Sequence, residues 1–337
     1  PEEWQAYHVF RKIRYKEVYP DDPVNPDEMI ETARKQEEKD DEGIIERYFV
    51  WNNDSKVVGS MYAGILTEKN PSYKGNEHIC QFDISLLPEY RRKRFGTQLL
   101  KRVIDLADFH DKFSLLASTN EESGKAFLKK FGFPFALSNK QNRLVLNKVD
   151  WPMVQQWVDD GIKRNPSTNL LFFNRIPDSI IESFAKIFTE TGNQAPLGSL
   201  EISDMVLTPE VLRKREKDFQ EVNRIPNIAV TVESDGDISG LTEILYEEQT
   251  KILLQGLTGV RDKYRGRGLG KWIKAAMLLY VKEHYPEASF IKTGNAESNA
   301  PMLSINNRLG FTVFKESIMT QCKLEDLKKN FTLVINN

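Results

Sequence analysis

One stretch of this chain occurs twice. Glu89-Tyr90-Arg91-Arg92-Lys93-Arg94-Phe95-Gly96 resembles Lys263-Tyr264-Arg265-Gly266-Arg267-Gly268-Leu269-Gly270, and both tyrosines and final glycines stand 174 residues apart. Downstream, Lys129-Lys130-Phe131-Gly132-Phe133 resembles Asn307-Arg308-Leu309-Gly310-Phe311 at an offset of 178. The second copy therefore carries extra residues, placed near Tyr285-Pro286-Glu287-Ala288. Upstream, Asn25-Pro26-Asp27-Glu28-Met29 and Thr208-Pro209-Glu210-Val211-Leu212 both read as a cap, a proline at the first helical position and an acidic first turn. Three matches in one order point to a duplicated unit. A chain of 337 residues has room for roughly two domains. The division expected is residues 1–150, a linker helix at 151–167, and residues 168–337.

Each copy repeats one order of elements. In the second, Asn169 to Asn174 reads as a strand. Ser179-Ile180-Ile181-Glu182 reads as a capping box opening a helix with Ile180, Ile181, Phe184, Ile187 and Phe188 on one face. Thr208 opens another helix, running to about Val222. Strands follow at 228–232, 240–246 and 252–260, then the glycine loop, a helix at 269–284, a strand at 289–293, a helix at 300–309 and closing strands. The first copy shows strands at 48–51, 57–66, 79–86 and 113–117, and a helix from Glu3 to about Tyr15. Its opening strand is missing or supplied from elsewhere. Trp151 to Asp160 reads as a short helix closed by Gly161, and Phe331 to Ile335 as strand-like. Strands amid flanking helices make an α+β layer arrangement, a mixed sheet covered by helices.

Composition excludes several classes. The 47 basic and 49 acidic residues leave a net charge of −2, which argues against a general polyanion binder. Apolar residues at 40% match a globular chain rather than a disordered one. The longest apolar run, Ala275 to Val281, falls far short of the ~20 residues that span a bilayer. No charged-then-apolar segment opens the chain, and Pro1 rather than Met begins it, the pattern of a trimmed N-terminus. Two cysteines, Cys80 and Cys322, exclude a disulfide framework and a cysteine-rich zinc site. His8, His78, His110 and His284 are scattered without metal-ligand spacing, so no metal is expected. The expected setting is a reducing cytoplasm, with no membrane partner.

The loop from Arg265 to Gly270 carries the chemistry. A strand ending at Val260 feeds three alternating glycines, and a helix starts at once. Glycines let several N–H groups point at one spot, and the helix N-terminus adds about half a positive charge. That is a pyrophosphate cradle, with Arg265, Arg267 and Lys271 as cations at its rim. A dinucleotide loop would need glycine in place of Lys271. A Walker loop would need glycine in place of Arg265 and Ser or Thr in place of Trp272.

The pattern Arg265-x-x-Gly268-x-Gly270 fits Q/R-x-x-G-x-G/A, the acetyl-CoA pyrophosphate motif of the GNAT superfamily of N-acetyltransferases. Asn295-Ala296-Glu297-Ser298-Asn299-Ala300-Pro301-Met302-Leu303 leads into Asn306-Asn307-Arg308-Leu309-Gly310-Phe311, which resembles the superfamily's second motif. With the duplication, the chain resembles tandem GNAT proteins, the group that includes mycothiol-synthase-like enzymes, and most strongly over about 252–314. The resemblance implies two tandem GNAT-like domains, each a twisted, mixed, mainly antiparallel sheet flanked by helices. It implies acetyl-CoA as co-substrate, held by the backbone near Thr258 and Val260, by Arg265, Gly266, Arg267, Gly268, Leu269, Gly270 and Lys271, and by Asn299. Strands 252–260 and 289–293 would splay around pantetheine. The primary amine of a small molecule would attack the thioester directly, with an acyl group other than aminoacyl transferred.

Many members carry a tyrosine acid seven residues after the motif asparagine. Here that position is Asn306, and an amide cannot usefully transfer a proton. Thiolate leaves unprotonated, or Tyr246 serves, or the domain is not a catalyst. Glu243, between Leu241 and Leu245 on one strand face, is the candidate base, its pKa raised by desolvation. Glu201 and Asp204 are candidates to attract a cationic acceptor. In the first copy Arg92 and Arg94 replace two loop glycines, Glu121 stands for Asn299 and Leu128 for Asn306; a structural or acceptor-shaping domain is expected. Two other classes stay open: an acyl-CoA sensor or aminoacyl- or peptide-transferring relative, and a nucleic-acid binder using the patch Arg91, Arg92, Lys93, Arg94, Lys101 and Arg102, disfavoured by sparse aromatics. A homodimer is compatible with the sequence.

Overall fold

The computed structural model describes residues 2–20, 27, 34 and 42–336. In chain order the described elements are helix α1 (Glu2–Val18), strands β1 (Gly43–Trp51), β2 (Val57–Leu66) and β3 (Ile79–Leu86), α2 (Phe95–Phe109), β4 (Ser114–Thr119), α3 (Glu122–Lys130), β5 (Leu137–Val145) and α4 (Trp151–Arg164). There follow β6 (Asn169–Phe173), α5 (Ile181–Gly192), α6 (Pro209–Glu221), β7 (Arg224–Val232), β8 (Ile238–Glu247), β9 (Ile252–Val260), α7 (Leu269–His284), β10 (Phe290–Ala296), α8 (Ala300–Leu309), β11 (Thr312–Lys323) and α9 (Leu324–Asn336). The arrangement is α+β, as expected. The cap at Asn25-Pro26-Asp27-Glu28-Met29 lies, Asp27 apart, outside the described residues.

The chain forms two compact units. The first is Pro1–Leu137 with Leu197–Ser203 and Ser317–Asn337; the second is Ser138–Pro196 with Asp204–Glu316. This corrects the linear division at residues 150 and 168. In the first unit, β1, β2 and β3 form an antiparallel meander, β4 joins β3 in parallel, and β11 closes the sheet antiparallel to β4, from Ile318↔Thr119 to Lys323↔Ser114. In the second, β6, β7, β8 and β9 form the meander, β10 joins β9 in parallel, and β5 pairs with β10 from Phe290↔Val145 to Ala296↔Asn139. Each half of the chain thus gives its last strand to the other half's sheet. Sequence distance does not reveal this, because a closing strand fits whichever edge offers its register. A counterpart of β6 is not seen in the first unit among the described residues.

Two faces of the second sheet matter for function. Ile244, Tyr246 and Leu253 point to the face covered by α4 and α7, in one core with Trp157, Ile273, Met277 and Leu309. Leu241, Val230 and Ile228 point to the other, packed with Phe184 and Ile187 of α5 and Leu212 of α6. The helix of α5 buries Ile181, Phe184, Ile187 and Phe188, at the expected spacing. Its capping box is absent: a 3-10 turn at Asp178–Ile180 leads in, without a side-chain cap. Thr208 does cap α6, accepting from the Val211 N–H at 3.4 Å.

Two further expectations are corrected. Gly161 does not close the linker helix; α4 runs on to Arg164. A Cβ at Gly161 would stand 2.2 Å from Trp272 Cγ, so glycine is there to let α4 lie against α7. The segment 331–335 is helical, inside α9, and Phe331 is buried in the first unit's core. Packing of its apolar face decided between helix and strand where a short run could not.

Candidate functional site

Strands β9 and β10 pair only at Ile291↔Leu253 and Lys292↔Leu254. From Gln255 to Val260, six residues or about 20 Å of strand, β9 is bonded to β8 alone. A bulge helps to open the wedge. Thr242 pairs with Thr258 and Ile244 with Gln255, so Gly256 and Leu257 stand opposite Glu243. Such a bulge bends and twists its strand. The splay expected between these strands is present, and the backbone of Thr258 and Val260 lies on its open edge.

The mouth of the wedge is the glycine loop. Gly266 and Gly268 hold φ of 81° and 80°, and Gly268 is the N-cap of α7. A Cβ on Gly266 would meet nothing within 4 Å, so glycine is needed there for its backbone angle rather than for space. Leu269 is buried beneath the loop, and at Gly270 the nearest atom to a Cβ would be Val260 Cγ2, at 3.6 Å. The approach to the loop is pinned. The Tyr264 hydroxyl donates to Asp237 at 3.0 Å, and Arg261 pairs with Asp237 and with Glu190 at 2.6 Å.

The rim cations are not arranged as the motif suggests. Arg265 pairs with Asp262 at 3.0 Å and Gln194 at 2.5 Å. Arg267 turns to Asn165 at 3.0 Å, Thr168 at 2.8 Å and Glu233 at 3.1 Å. Lys271 instead shares the Trp157 ring with Arg308, their charges 4.4 and 4.7 Å from its centroid. Arg164 Nη1 would lie 3.5 Å from a Cβ on Gly268. Burial, then the charges of Arg308 and Arg164, hold the Lys271 amine below the usual lysine value. Three cations crowding one another beside a helix N-terminus are relieved by an anion. Arg164, Trp157 and Arg308 escaped the sequence reading, because α4 lies more than 100 residues before Gly268 and Arg308 lies 40 after it.

The apex of the wedge is polar and dry. Asn306 is 1% exposed; its Nδ2 donates to Asn295 Oδ1 at 2.8 Å, and its own Oδ1 has no partner. An orphaned buried carbonyl is costly unless a donor reaches it. The amide N–H groups of a pantetheine arm are donors of that kind, so the residues present fit acyl-CoA. Asn299 accepts from the Met302 N–H at 3.4 Å and caps α8, orienting the helix that carries Asn306. Lys274, which the sequence reading did not single out, is 3% exposed on α7 and donates to Gln255 Oε1 at 3.1 Å.

Two of the expected catalytic residues, Glu243 and Tyr246, have partners of their own. Glu243 is on the predicted face and 1% exposed, but it is not a lone desolvated carboxylate. Both its oxygens accept from Arg215 of α6, at 2.7 and 2.5 Å. Arg215 also stacks on Phe219 and Phe188, 4.6 and 5.2 Å from their centroids. Tyr246 pairs with Leu253, at the zipped end of the wedge. Its hydroxyl is bound to Glu287, and burial followed by that carboxylate drives its pKa upward. Glu201 belongs to the first unit, its backbone N–H donating to Gln321 at 2.6 Å, and Asp204 to the second; both are exposed. Among the described residues no group of three or more His, Cys, Asp or Glu could hold a metal, and no helix is long and apolar enough to cross a membrane.

The first unit repeats the loop with a shorter wedge, open from Asp83 to Leu86 of β3. Arg92 and Arg94 take φ of 61° and 67°, the left-handed backbone of Gly266 and Gly268, at about 1 kcal/mol each. Its β3 and β4 stay zipped through four pairs, to Phe82↔Ala117, and β2 and β3 pair without a bulge. Charged side chains bridge what remains open. Arg14 donates to Ser85 of β3 at 2.8 Å and pairs with Glu121, just after β4; Arg91 pairs with Glu17 at 2.7 Å and Glu121 at 3.1 Å. Leu128, opposite number of Asn306, is buried in the apolar core. In the basic patch, Arg91 and Lys101 are ion-paired, Lys101 with Asp105.

Residues 5–133 match the model of the Acetyltransferase (GNAT) family. They are the half whose loop departs from the glycine pattern, whereas the motifs quoted from the sequence are fullest in 252–314. The whole chain superposes on a tandem GNAT protein from the clavulanic acid biosynthesis pathway, solved without acetyl-CoA. The TM-score is 0.72 and the identity 19%, covering 96% of this chain and 95% of that one. A GCN5-related N-acetyltransferase from Sphaerobacter thermophilus follows at TM-score 0.63 and 14% identity, covering 95% and 92%. The glucosamine N-acetyltransferase region of a fungal multi-domain GH3 β-N-acetylglucosaminidase gives 0.63 and 13%; the chain covers 37% of that longer protein, with 96% of its own length aligned. Curated protein sequences give no match. The family match covers the first copy alone, and the fold of the whole chain is that of tandem GNAT proteins.

Proposed function

We propose that the second unit is an acyl-CoA-dependent N-acyltransferase, with acetyl-CoA as donor and the primary amine of a small molecule as acceptor. The observation that carries this is the wedge itself, open for six residues of β9 between the Gly266–Gly268 cradle and Gln255. Bound acetyl-CoA would supply a thioester carbonyl activated toward an amine. The loop N–H groups, Lys271, Arg164 and Arg308 hold the phosphates. The free edge of β9 orients the arm, and Asn306 Oδ1 accepts from it. The bulge at Gly256–Leu257 leaves main-chain N–H groups off the β8 ladder, where they can stabilise charge on a carbonyl oxygen. The Arg215–Glu243 pair fixes that bulge from behind. The first unit, its shorter wedge bridged by ions, serves as a structural partner. The setting proposed is the cytoplasm, where both unpaired cysteines stay reduced.

The test is a calorimetric titration with acetyl-CoA. One site per chain is expected, lost on Gly268→Arg with the fold intact, because Arg94 shows that this backbone tolerates arginine. Retained affinity in that variant, or two sites per chain, would refute the assignment. A screen of primary amines for CoA release then identifies the acceptor.

A further inference from the structure

Acyl transfer leaves a thiolate, and Asn306 has no proton to give it. The titratable side chains near the apex are few. Glu243 is engaged with Arg215 on the opposite face, and Tyr246 with Glu287. Lys274 remains. Its Nζ donates to Gln255, the first residue beyond the last β9–β10 pair. The Gln255 amide nitrogen donates to the Glu243 carbonyl at 2.7 Å, Thr242 at 3.1 Å and Thr258 at 3.3 Å, which turns its oxygen toward the lysine. The Phe311 ring lies 5.5 Å from Nζ, and the Phe311 N–H donates to the Asn306 carbonyl at 3.0 Å. Phe311 thus stands beside both the lysine amine and the backbone of Asn306.

We propose that Lys274 is the proton donor to the thiolate that leaves when the second unit transfers its acyl group. The proposal rests on the acyl-CoA reading above. An extended pantetheine arm entering at Gly268 would run along the open segment of β9, and its sulfur would then lie toward Gln255. The acceptor nitrogen bonds to the carbonyl carbon and the C–S bond breaks. Sulfur keeps the electron pair and takes a proton from the Lys274 ammonium. The acceptor nitrogen gives one proton to solvent, and Lys274 regains one from it. The sum is amine plus thioester to amide plus thiol. The groups in contact with Lys274 are uncharged, Gln255 of β9 and Phe311 after α8, and no charged side chain contributes to the shift of its amine. Lys271, one turn earlier on α7, lies on Trp157. Burial alone pushes the Lys274 amine down to about 7, so it holds and releases a proton near neutrality.

The first readout is independent of turnover. In the full chain labelled with ¹⁵N-lysine, the Lys274 signal, assigned with Lys274→Arg, should titrate near 7. Saturation with CoA at pH 7 should displace the Lys274 signal, because a thiol beside Nζ exchanges hydrogen bonds with it, and saturation with desulfo-CoA, which lacks the sulfur, should not. An equal response to the two, with both bound by calorimetry, overturns the proposal. Absence of CoA binding overturns the acyl-CoA reading and the proposal with it. Lys274→Met should lower kcat by about 100-fold, leave KM for acetyl-CoA within about twofold, and abolish the fall of kcat above pH 7. A kcat within about threefold of the parent overturns it as well.

Discussion

Replacing Arg215 with methionine isolates the ion pair that anchors the β9 bulge. Glu243 is 1% exposed and gives both oxygens to Arg215, whose own side chain is 28% exposed. The two partners are unequally buried, so removing them has unequal costs. Arg215→Met leaves a carboxylate without a partner in a site water cannot reach, which costs about 3–5 kcal/mol. Glu243→Gln leaves a guanidinium that can turn to solvent, at about 1–2 kcal/mol. Changing both residues to methionine should recover more than half of the larger loss, since an apolar pair of similar volume packs there without a buried charge. Urea titrations read by hydrogen exchange of the β8 and β9 amides measure these losses. A loss below about 1 kcal/mol for Arg215→Met, or a larger loss for Glu243→Gln, would refute the reasoning.

Two further outcomes can be checked directly. Exchanging Arg164 and Arg308 together for glutamine should weaken acetyl-CoA binding about tenfold and flatten its salt dependence, with acetyl-pantetheine unaffected; calorimetry at two salt concentrations decides. Cys80 and Cys322 are buried in the first unit's core, and burial pushes their thiols up to about 12 and about 11. A thiol reagent at pH 8 should find neither in the folded protein and both in denaturant, and fast labelling in the native state would contradict their burial.

Much of the fold was legible in the residues. Helices α7 and α8 and strands β2, β3 and β9 begin and end where periodicity and glycines place them. Segments with weaker signals went astray. Gly161 reads as a stop but is a packing contact, and the apolar run after Phe331 is too short to separate strand from helix. The candidate site was half visible. The loop glycines are local and carry a positive-φ requirement within six residues. The cations and amides that complete the site come from α4, α7, α8 and β10, and no local pattern links them. Glu243 was placed on its correct face by alternation, while its partner, 28 residues away on another element, was beyond that argument.

The sequence by itself determined a duplication, the order of strands and helices in each copy, and a phosphate cradle in the second. Those are short-range properties, set by side-chain period, caps and backbone freedom. The tertiary structure decided which strand closes which sheet, how far each parallel pair stays zipped, and which charged groups meet. Those depend on register and on helix packing across a sheet. There the unit gained by burying a surface outweighs the distance along the chain, and an amine such as Lys274 acquires a neutral-range pKa only from the neighbours that bury it.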